Sequence, residues 1–245
     1  MEDSNRQKTA AQVHAIEESQ RATEKAMAAV VAYVRSADKP TSEEAHAIID
    51  TILAAYDCES PDGHIVAGGL QAAEPHERGS GMIQQGVAIV IDIFPRSKKT
   101  GYFADMTRTV CIGTPSPEIQ KQYAAVLGAY EAAVAMIRPG VLCKDLHIAA
   151  QNHFEKLGYE TRGKGKEFTF AEGFVHSLGH GVGKEVHEMP RISPKSDDVL
   201  QAGDVITIEP GLYYPGIGGV RIEDMMLVTK NGYRNLTQFG KKFVL

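Results

Sequence analysis

IDIFPRSKKTGYFADMTRT, residues 91–109, is the stretch from which the fold can be worked out. Two apolar runs, Val87–Ile91 and Met106–Cys111, have the length and the β-branched content of strands. Pro95 and Gly101 mark a turn between them. The stretch therefore predicts two strands that pair as a hairpin.

Asp92 and Asp105 are the unusual residues of this hairpin. Aspartate is depleted in strands and is rarely buried without a partner. Two carboxylates held side by side repel each other unless positive charge lies between them, and a divalent metal ion is the simplest candidate. The alternative is that both aspartates face solvent at the strand ends, and the rest of the chain has to decide between the two.

Composition narrows the class of protein. The chain has 245 residues, of which 43% are hydrophobic and 23% charged, as in ordinary globular proteins. A net charge of −5 argues against a nucleic-acid partner, and no apolar run is long enough for a membrane span. The polar N-terminus does not resemble a signal peptide. Three scattered cysteines fit a reducing compartment, so the cytoplasm is expected.

The order of predicted elements repeats. Apolar spacing of three and four predicts a helix over 8–36, and Thr41 with Glu44 forms a capping-box pattern for a second helix to about Tyr56. After a short strand at Ile65–Ala67 and the hairpin, two more helices are predicted, over 116–140 and 144–157. The basic stretch 161–167, TRGKGKE, is predicted to be a surface loop.

Further strands are expected in the second half of the chain. The sequence places them at Gly173–His176, Val182–His187, Val205–Glu209 and Val220–Thr229. The order of two helices followed by strands therefore occurs twice, which suggests two halves related by a pseudo-twofold axis. We predict one α+β domain over residues 1–245, with a mainly antiparallel curved sheet and helices on its outer face.

Three more residues join the two aspartates. His180 lies in the glycine-rich HSLGHGVGKEVHEMP, Glu209 ends the run VITIEPG, and Glu223 interrupts GVRIEDMMLV. One glutamate at a strand end is usually solvated, but four carboxylates and one imidazole at strand ends could hold two divalent ions. This donor set favours Mn²⁺, Co²⁺ or Fe²⁺, with Zn²⁺ as an alternative. The glycines before Lys184 lack the spacing of a phosphate loop.

These residues resemble the metal ligands of the pita-bread metallopeptidases, which are the methionine aminopeptidases, aminopeptidase P and prolidase. The resemblance covers nearly the whole chain and depends on four motifs, DMTRT from Asp105, HGVGKEVHE from His180, EPG from Glu209 and GVRIED from Gly219. It implies the pita-bread fold and a dinuclear centre, with Mn²⁺ or Co²⁺ preferred, that activates a water. The motifs resemble those of the proline-specific branch, which implies cleavage of small peptides before proline.

The resemblance also implies roles for individual side chains. Glu209 would be a general base as well as a ligand, and His187 would donate a hydrogen bond to the oxyanion. His76 would move protons or hold the substrate's amino end. His176 would line the pocket for proline, and Arg221 would orient the substrate or Glu223.

Two departures and two alternatives accompany this interpretation. The turn between the aspartates is slightly longer than is usual in the family, and the N-terminal domain usual in the proline-specific branch is absent from this sequence. That domain helps to form the dimer and limits substrate length, so a homodimer and the substrate length both stay open. The alternatives are a methionine aminopeptidase and a non-catalytic binding module on the same fold.

Overall fold

A computed structural model of the protein describes residues 6–161 and 172–245. Its helices in this part of the chain are α1 (Ala10–Ser36), α2 (Ser42–Ala55), α3 (Pro117–Val134) and α4 (Cys143–Lys156), with a short 3-10 helix at Gly69–Ala73. The strands are β1 (Cys58–Glu59), β2 (His64–Gly68), β3 (Ala88–Ile93), β4 (Arg96–Ser97), β5 (Met106–Cys111), β6 (Gly179–Gly181), β7 (Glu188–Ile192), β8 (Val205–Ile208), β9 (Gly211–Tyr214), β10 (Gly218–Arg221), β11 (Asp224–Thr229) and β12 (Gly232–Asn235). Of the predicted loop 161–167, all but Thr161 lies outside the described residues.

The four predicted helices are confirmed, and side chains at the N-termini of α1 and α2 show why these two helices begin where they do. At the start of α1, the Thr9 hydroxyl accepts from the Gln12 amide and the Gln12 side chain accepts from the Thr9 amide, which is a complete capping box. At α2 only half of the predicted box forms. Thr41 accepts from the Glu44 amide, whereas the Glu44 carboxylate accepts a hydrogen bond from the Tyr33 hydroxyl.

The predicted hairpin is confirmed as well. Strand β3 pairs antiparallel with both β2 and β5, and the register sets Asp92 opposite Thr107. The connecting turn contains β4. This strand pairs with β1, the short strand that follows α2. The long turn between the two aspartates is therefore an ordered part of the fold.

Three of the strands predicted in the second half differ from the structure, and β6, β7, β9 and β12 were not predicted. The segment Val182–His187 is a loop between β6 and β7, so its prediction as a strand was wrong. The predicted strand Val220–Thr229 is interrupted at Ile222–Glu223, which separates β10 from β11. Gly173 and Phe174 make only isolated bridges. Short, glycine-rich segments carry a weak strand pattern, so neighbouring strands decide which of them pair.

Each half of the chain contains two helices packed on antiparallel strands. In the first half, apolar residues of α1 and α2 pack on β3 and β5, in one buried cluster that includes Val30, Ile49 and Ile91. In the second half α3 and α4 pack on a sheet of order β12-β11-β8-β6-β7 and on the β9–β10 pair. The hydrogen-bond ladders divide the expected single sheet into these parts, and all pairings between the named strands are antiparallel.

The two halves join along β5 and β10. The Thr109 hydroxyl donates to the Arg221 carbonyl at 2.8 Å and accepts from the Arg221 amide at 2.9 Å. The Glu223 amide donates to the Thr107 carbonyl at 3.0 Å. None of the helices within residues 6–161 and 172–245 combines the length and apolarity needed to cross a bilayer.

Candidate metal centre

Strand alternation places the candidate residues on the sheet face opposite the helices. Successive side chains of a strand point to opposite faces. On β3, Ile91 and Ile93 pack on the first helix pair, so Asp92 between them points the other way. On β8, Ile206 and Ile208 pack on the second helix pair, so Thr207 and the following Glu209 share the opposite face. The same parity applies to Thr107 and Thr109 of β5 with Asp105 just before it, and to Arg221 of β10 with Glu223 just after it.

A compact set of donors results where the two halves meet. Ligand atoms of Asp105, His180 and Glu223 all lie within 4.8 Å of one another, and all three residues are buried. Glu209 lies beside them, with Oε1 3.3 Å from His180 Nε2. Asp92 lines the same cavity, and its Oδ2 accepts from Arg221 Nη2 at 2.7 Å. The structure therefore brings together all five residues that the sequence singled out.

The pKa shifts of the clustered carboxylates indicate that positive charge between them would stabilise their ionised forms. Burial, followed by the charge of Asp92, raises the pKa of Asp105 well above its usual value. Burial and then the charge of Asp105 likewise raise the pKa of Glu223. Asp92 Oδ1 is buried without a hydrogen-bond partner, which is costly for a carboxylate. The donor set and the unpartnered oxygen both fit a divalent cation with oxygen ligands.

His180 and Glu209 form an ion pair within this set. Burial opposes protonation of His180, but the hydrogen bond and the charge of Glu209 outweigh it and raise the histidine's pKa to about 8. Burial would also raise the pKa of Glu209, yet the hydrogen bond and charge of His180 lower it to about 2. In the metal-free protein, protonated His180 thus supplies part of the positive charge that the carboxylates require.

Hydroxyl groups and a glycine fix these side chains. Thr107 Oγ1 donates to Glu223 Oε2 at 2.9 Å. Thr207 Oγ1 accepts from the His180 amide at 3.2 Å, which fixes the backbone of β6 beside β8. Gly179 permits this approach, because a Cβ there would lie 2.1 Å from the Thr207 carbonyl oxygen. Such hydrogen bonds around a metal site orient its ligands.

A hydrogen-bonded chain leads from Asp92 to His176. Arg221 is 4% exposed and donates from Nη2 to Asp92 and from Nη1 to the Tyr213 hydroxyl at 2.7 Å. That hydroxyl lies 2.9 Å from His176 Nε2, while His176 Nδ1 lies 2.8 Å from the Ser177 carbonyl. Since a carbonyl only accepts, Nδ1 carries the proton and Nε2 accepts from the tyrosine. The guanidinium makes no hydrogen bond to Glu223 among the described contacts.

A cavity of about 550 Å³ opens onto the five residues. His76 and His187 are exposed at its rim, and the His187 ring packs edge-on against His180 with centroids 4.3 Å apart. Burial, and next His180, lowers the pKa of His187, which keeps its imidazole neutral near pH 7. All predicted site residues therefore line one cleft large enough for a short peptide.

Other residues of the cleft were not assigned a role from the sequence. Tyr213 is fully buried behind the cavity and links Arg221 to His176. Asp62 and Arg191 line the cavity itself. No sequence pattern marks these two, because an exposed charge in a loop or on an edge strand is common. The tyrosine pair after EPG is the one signal that could have pointed to Tyr213.

Comparisons with known proteins agree with this geometry. The sequence profile of metallopeptidase family M24 matches residues 14–230. An Xaa-Pro dipeptidase from Pyrococcus horikoshii is 37% identical over 97% of this chain and 64% of its own length. The structure of prolidase from Pyrococcus furiosus superposes with a TM-score of 0.86 and 36% identity, covering 96% of this chain and 66% of that one.

A third relative extends the comparison within the family. The structure of an X-Pro aminopeptidase from Thermotoga maritima has a TM-score of 0.85 and 33% identity, and covers 98% of this chain and 64% of the other. The chain thus spans just under two thirds of the length of these relatives. The match over most of its residues shows that this chain belongs to metallopeptidase family M24 and has the family's pita-bread fold.

Proposed function

We propose that the protein is a metal-dependent exopeptidase that hydrolyses the peptide bond before proline, as an Xaa-Pro dipeptidase or an Xaa-Pro aminopeptidase. The observation that carries this proposal is the convergence of four carboxylates and His180 on one cleft in a chain of family M24. The names of two relatives, Xaa-Pro dipeptidase and X-Pro aminopeptidase, support the specificity for proline.

The metal ligands in this proposal are Asp92, Asp105, His180, Glu209 and Glu223. When bound, two divalent cations would supply Lewis acidity, which lowers the pKa of water and polarises a carbonyl group. We propose Mn²⁺ or Co²⁺, with Fe²⁺ and Zn²⁺ as alternatives, because oxygen donors outnumber the single imidazole. Metal analysis of the purified protein identifies the ion. Protein without any bound or activating divalent metal would favour a non-catalytic binding module instead.

The chain's own residues supply proton transfer and orientation. Glu209 lines the cavity beside His180, and it is the proposed acceptor of the proton of an attacking water. His187 is neutral and keeps one N–H to donate to the oxygen of the scissile carbonyl. His76, across the cleft, would assist proton movement or hold the amino end of the substrate.

His176 and Arg221 are proposed to shape the side of the cleft that receives proline. His176 is held by the Tyr213 hydroxyl and the Ser177 carbonyl, so its ring orientation is fixed before a substrate arrives. Arg221 fixes Asp92 at the same time. A rigid wall of this kind suits the ring of proline, which loses little conformational entropy on binding.

His187→Ala tests the proposed hydrogen-bond donor. We expect kcat on an Xaa-Pro dipeptide to fall by about 10²–10³-fold with little change in KM, because the donor acts mainly on charge that develops in the transition state. Steady-state kinetics at a saturating metal concentration measure this effect. Lys184→Ala, an exposed position in the same loop, is the control. A His187→Ala enzyme with unchanged kcat would contradict the role.

The specificity is tested by competing substrates. Purified protein with added Mn²⁺ or Co²⁺ is assayed on Xaa-Pro dipeptides, on longer peptides that begin Xaa-Pro, and on Met-Ala peptides. We expect cleavage of Xaa-Pro bonds, and the longer peptides separate a dipeptidase from an aminopeptidase. Cleavage of the methionine peptide alone would show a methionine aminopeptidase and contradict the proposal.

The assembly and location are proposals of the same kind. Residues 1–245 are proposed to fold as one catalytic domain, and sedimentation of the purified chain tests whether it forms a homodimer. We place the protein in the cytoplasm, supported by three cysteines, Cys58, Cys111 and Cys143, that are all free and buried. A small peptide that contains proline is the proposed partner, supported by the size of the cavity and the names of the relatives.

A further inference from the structure

The loop between β6 and β7 carries His187, and its shape depends on one buried carboxylate. Glu188, the first residue of β7, folds its side chain back under the loop 183–187. Its Oε1 accepts hydrogen bonds from the backbone amides of Lys184 at 2.6 Å and Glu185 at 3.1 Å. A carboxylate that accepts two amides holds a tight turn more firmly than a neutral group would.

Gly183 leaves the space that this carboxylate occupies. A Cβ at position 183 would lie 2.4 Å from each of the two Glu188 oxygens, closer than side chains pack. The Gly183 carbonyl accepts from the Phe103 amide at 2.8 Å, and its amide donates to the Glu185 carbonyl at 3.1 Å. One end of the loop is thereby attached to the segment that leads into Asp105.

Lys8 holds the other oxygen of the same carboxylate. Its Nζ lies 2.8 Å from Glu188 Oε2, and the two side chains are only 3% and 7% exposed. The Lys8 amide also donates to the Gly203 carbonyl at 2.8 Å, which fixes the backbone from which the lysine reaches. Removing one partner of a buried ion pair leaves an uncompensated charge, so this contact matters far more than an exposed ion pair would.

We propose that Glu188, held by Lys8, is a positioning residue that fixes the position of the His187 side chain in the cleft. Glu188 lies outside the cavity lining, whereas the adjacent His187 lies in it, with its ring against His180. The carboxylate therefore acts on the reaction through the loop and not by contact with the substrate. The catalytic part of this inference rests on the proposed function, but the arrangement of the loop does not.

Three substitutions weaken the contact in different ways. Glu188→Gln removes the charge, Lys8→Met removes its partner, and Gly183→Ala displaces the carboxylate. We expect each to lower kcat on an Xaa-Pro dipeptide by about 10- to 100-fold, because a displacement of about 1 Å at a catalytic group has this effect, while KM changes little. Lys8→Arg should restore most of the activity. Lys8→Met combined with Glu188→Gln should be no worse than Glu188→Gln alone, since both act through one carboxylate.

Hydrogen exchange gives a readout without metal or substrate. In chelator-treated protein, the amides of Lys184 and Glu185 should exchange at least about tenfold faster in the Glu188→Gln variant than in wild type, because their acceptor is weakened. Glu185→Gln is the matched control, as the same change in the same loop at an exposed side chain. It should leave both exchange and kcat at wild-type values, and the melting temperatures should show that all variants are folded.

The outcomes separate this inference from the proposed function. Unchanged amide exchange in the Glu188→Gln variant would overturn the inference, whatever the activity. Faster amide exchange in Glu188→Gln together with a wild-type kcat would also overturn it. An equal loss of kcat in Glu185→Gln would do the same. If the wild-type protein cleaves no Xaa-Pro peptide with any metal, the proposed function fails, and faster exchange confined to residues 183–188 still supports the loop contact.

Discussion

Glu209→Gln is expected to reduce hydrolysis of an Xaa-Pro dipeptide by about 10²–10⁴-fold, the range associated with loss of a general base. The substitution keeps the size of the side chain and removes its charge. Glu209 lies 3.3 Å from His180 and lines the cavity, so the change removes both a proposed ligand and the group that accepts the water's proton.

The effect should appear in kcat at a saturating metal concentration, which separates the loss of the base from weaker metal binding. Glu172→Gln, at an exposed position away from the cleft, is the control. Because glutamine is close to isosteric, circular dichroism should show an unchanged fold. A Glu209→Gln enzyme within tenfold of wild-type turnover would mean that another group takes the proton.

Asp105→Asn is expected to have opposite effects on stability with and without metal. Burial, and then the charge of Asp92, raise the pKa of Asp105 in the metal-free protein, and burial with Asp105 raises that of Glu223. A raised carboxyl pKa means that the folded state binds its proton more tightly than the unfolded state. This contribution to the free energy of unfolding therefore decreases as pH rises from about 4, the unfolded pKa, through the folded pKa.

His180 adds to the same trend. Its pKa is raised to about 8, so its contribution is complete below the unfolded value of about 6.5 and is lost as pH rises through 8. The contribution of Asp105, Glu223 and His180 to the stability of metal-free wild type should thus decrease between pH 5.5 and pH 8. Asparagine at position 105 cannot ionise, so the metal-free variant should melt higher than metal-free wild type at pH 8 and depend less on pH.

With metal the order should reverse. A ligand that binds only the folded state stabilises it by about 2.7 kcal/mol at a free concentration of 100 Kd. Wild type should gain this from Mn²⁺, and Asp105→Asn should gain much less because it has lost an anionic ligand. Melting temperatures of wild type and Asp105→Asn, each in EDTA and in MnCl₂ at pH 5.5 and pH 8, measure these effects. Equal gains from metal in both proteins would contradict a ligand role for Asp105.

The sequence predicted the helices and the hairpin because their patterns are local. Thr9 and Ser116 cap helices whose apolar faces repeat every three to four residues, and these signals act within a few residues of chain. The strands of the second half were predicted less well. Val182–His187 has enough β-branched and apolar residues to resemble a strand, yet Glu188 and Gly183 form it into a loop.

Four of the five candidate ligands could be named from the sequence because each interrupts or ends an apolar run, where a carboxylate has no structural reason to be. The fifth, His180, lies in a glycine-rich stretch and was named with them as an imidazole donor. Asp92 and Asp105 also have a fixed relation, since the hairpin register follows from the chain itself. The motifs around His180, Glu209 and Glu223 added the family resemblance. These features depend only on which residues are neighbours in the chain.

Only the tertiary structure decided how the two halves meet. The contacts of Thr109 with Arg221 and of Thr107 with Glu223 bring the two sheets together and set the ligand atoms within reach of one cation. Lys8 reaches Glu188 across the same fold. Contacts between residues more than 100 positions apart leave no periodicity or local pattern in a single sequence, because burial and geometry select them only after both partners have folded.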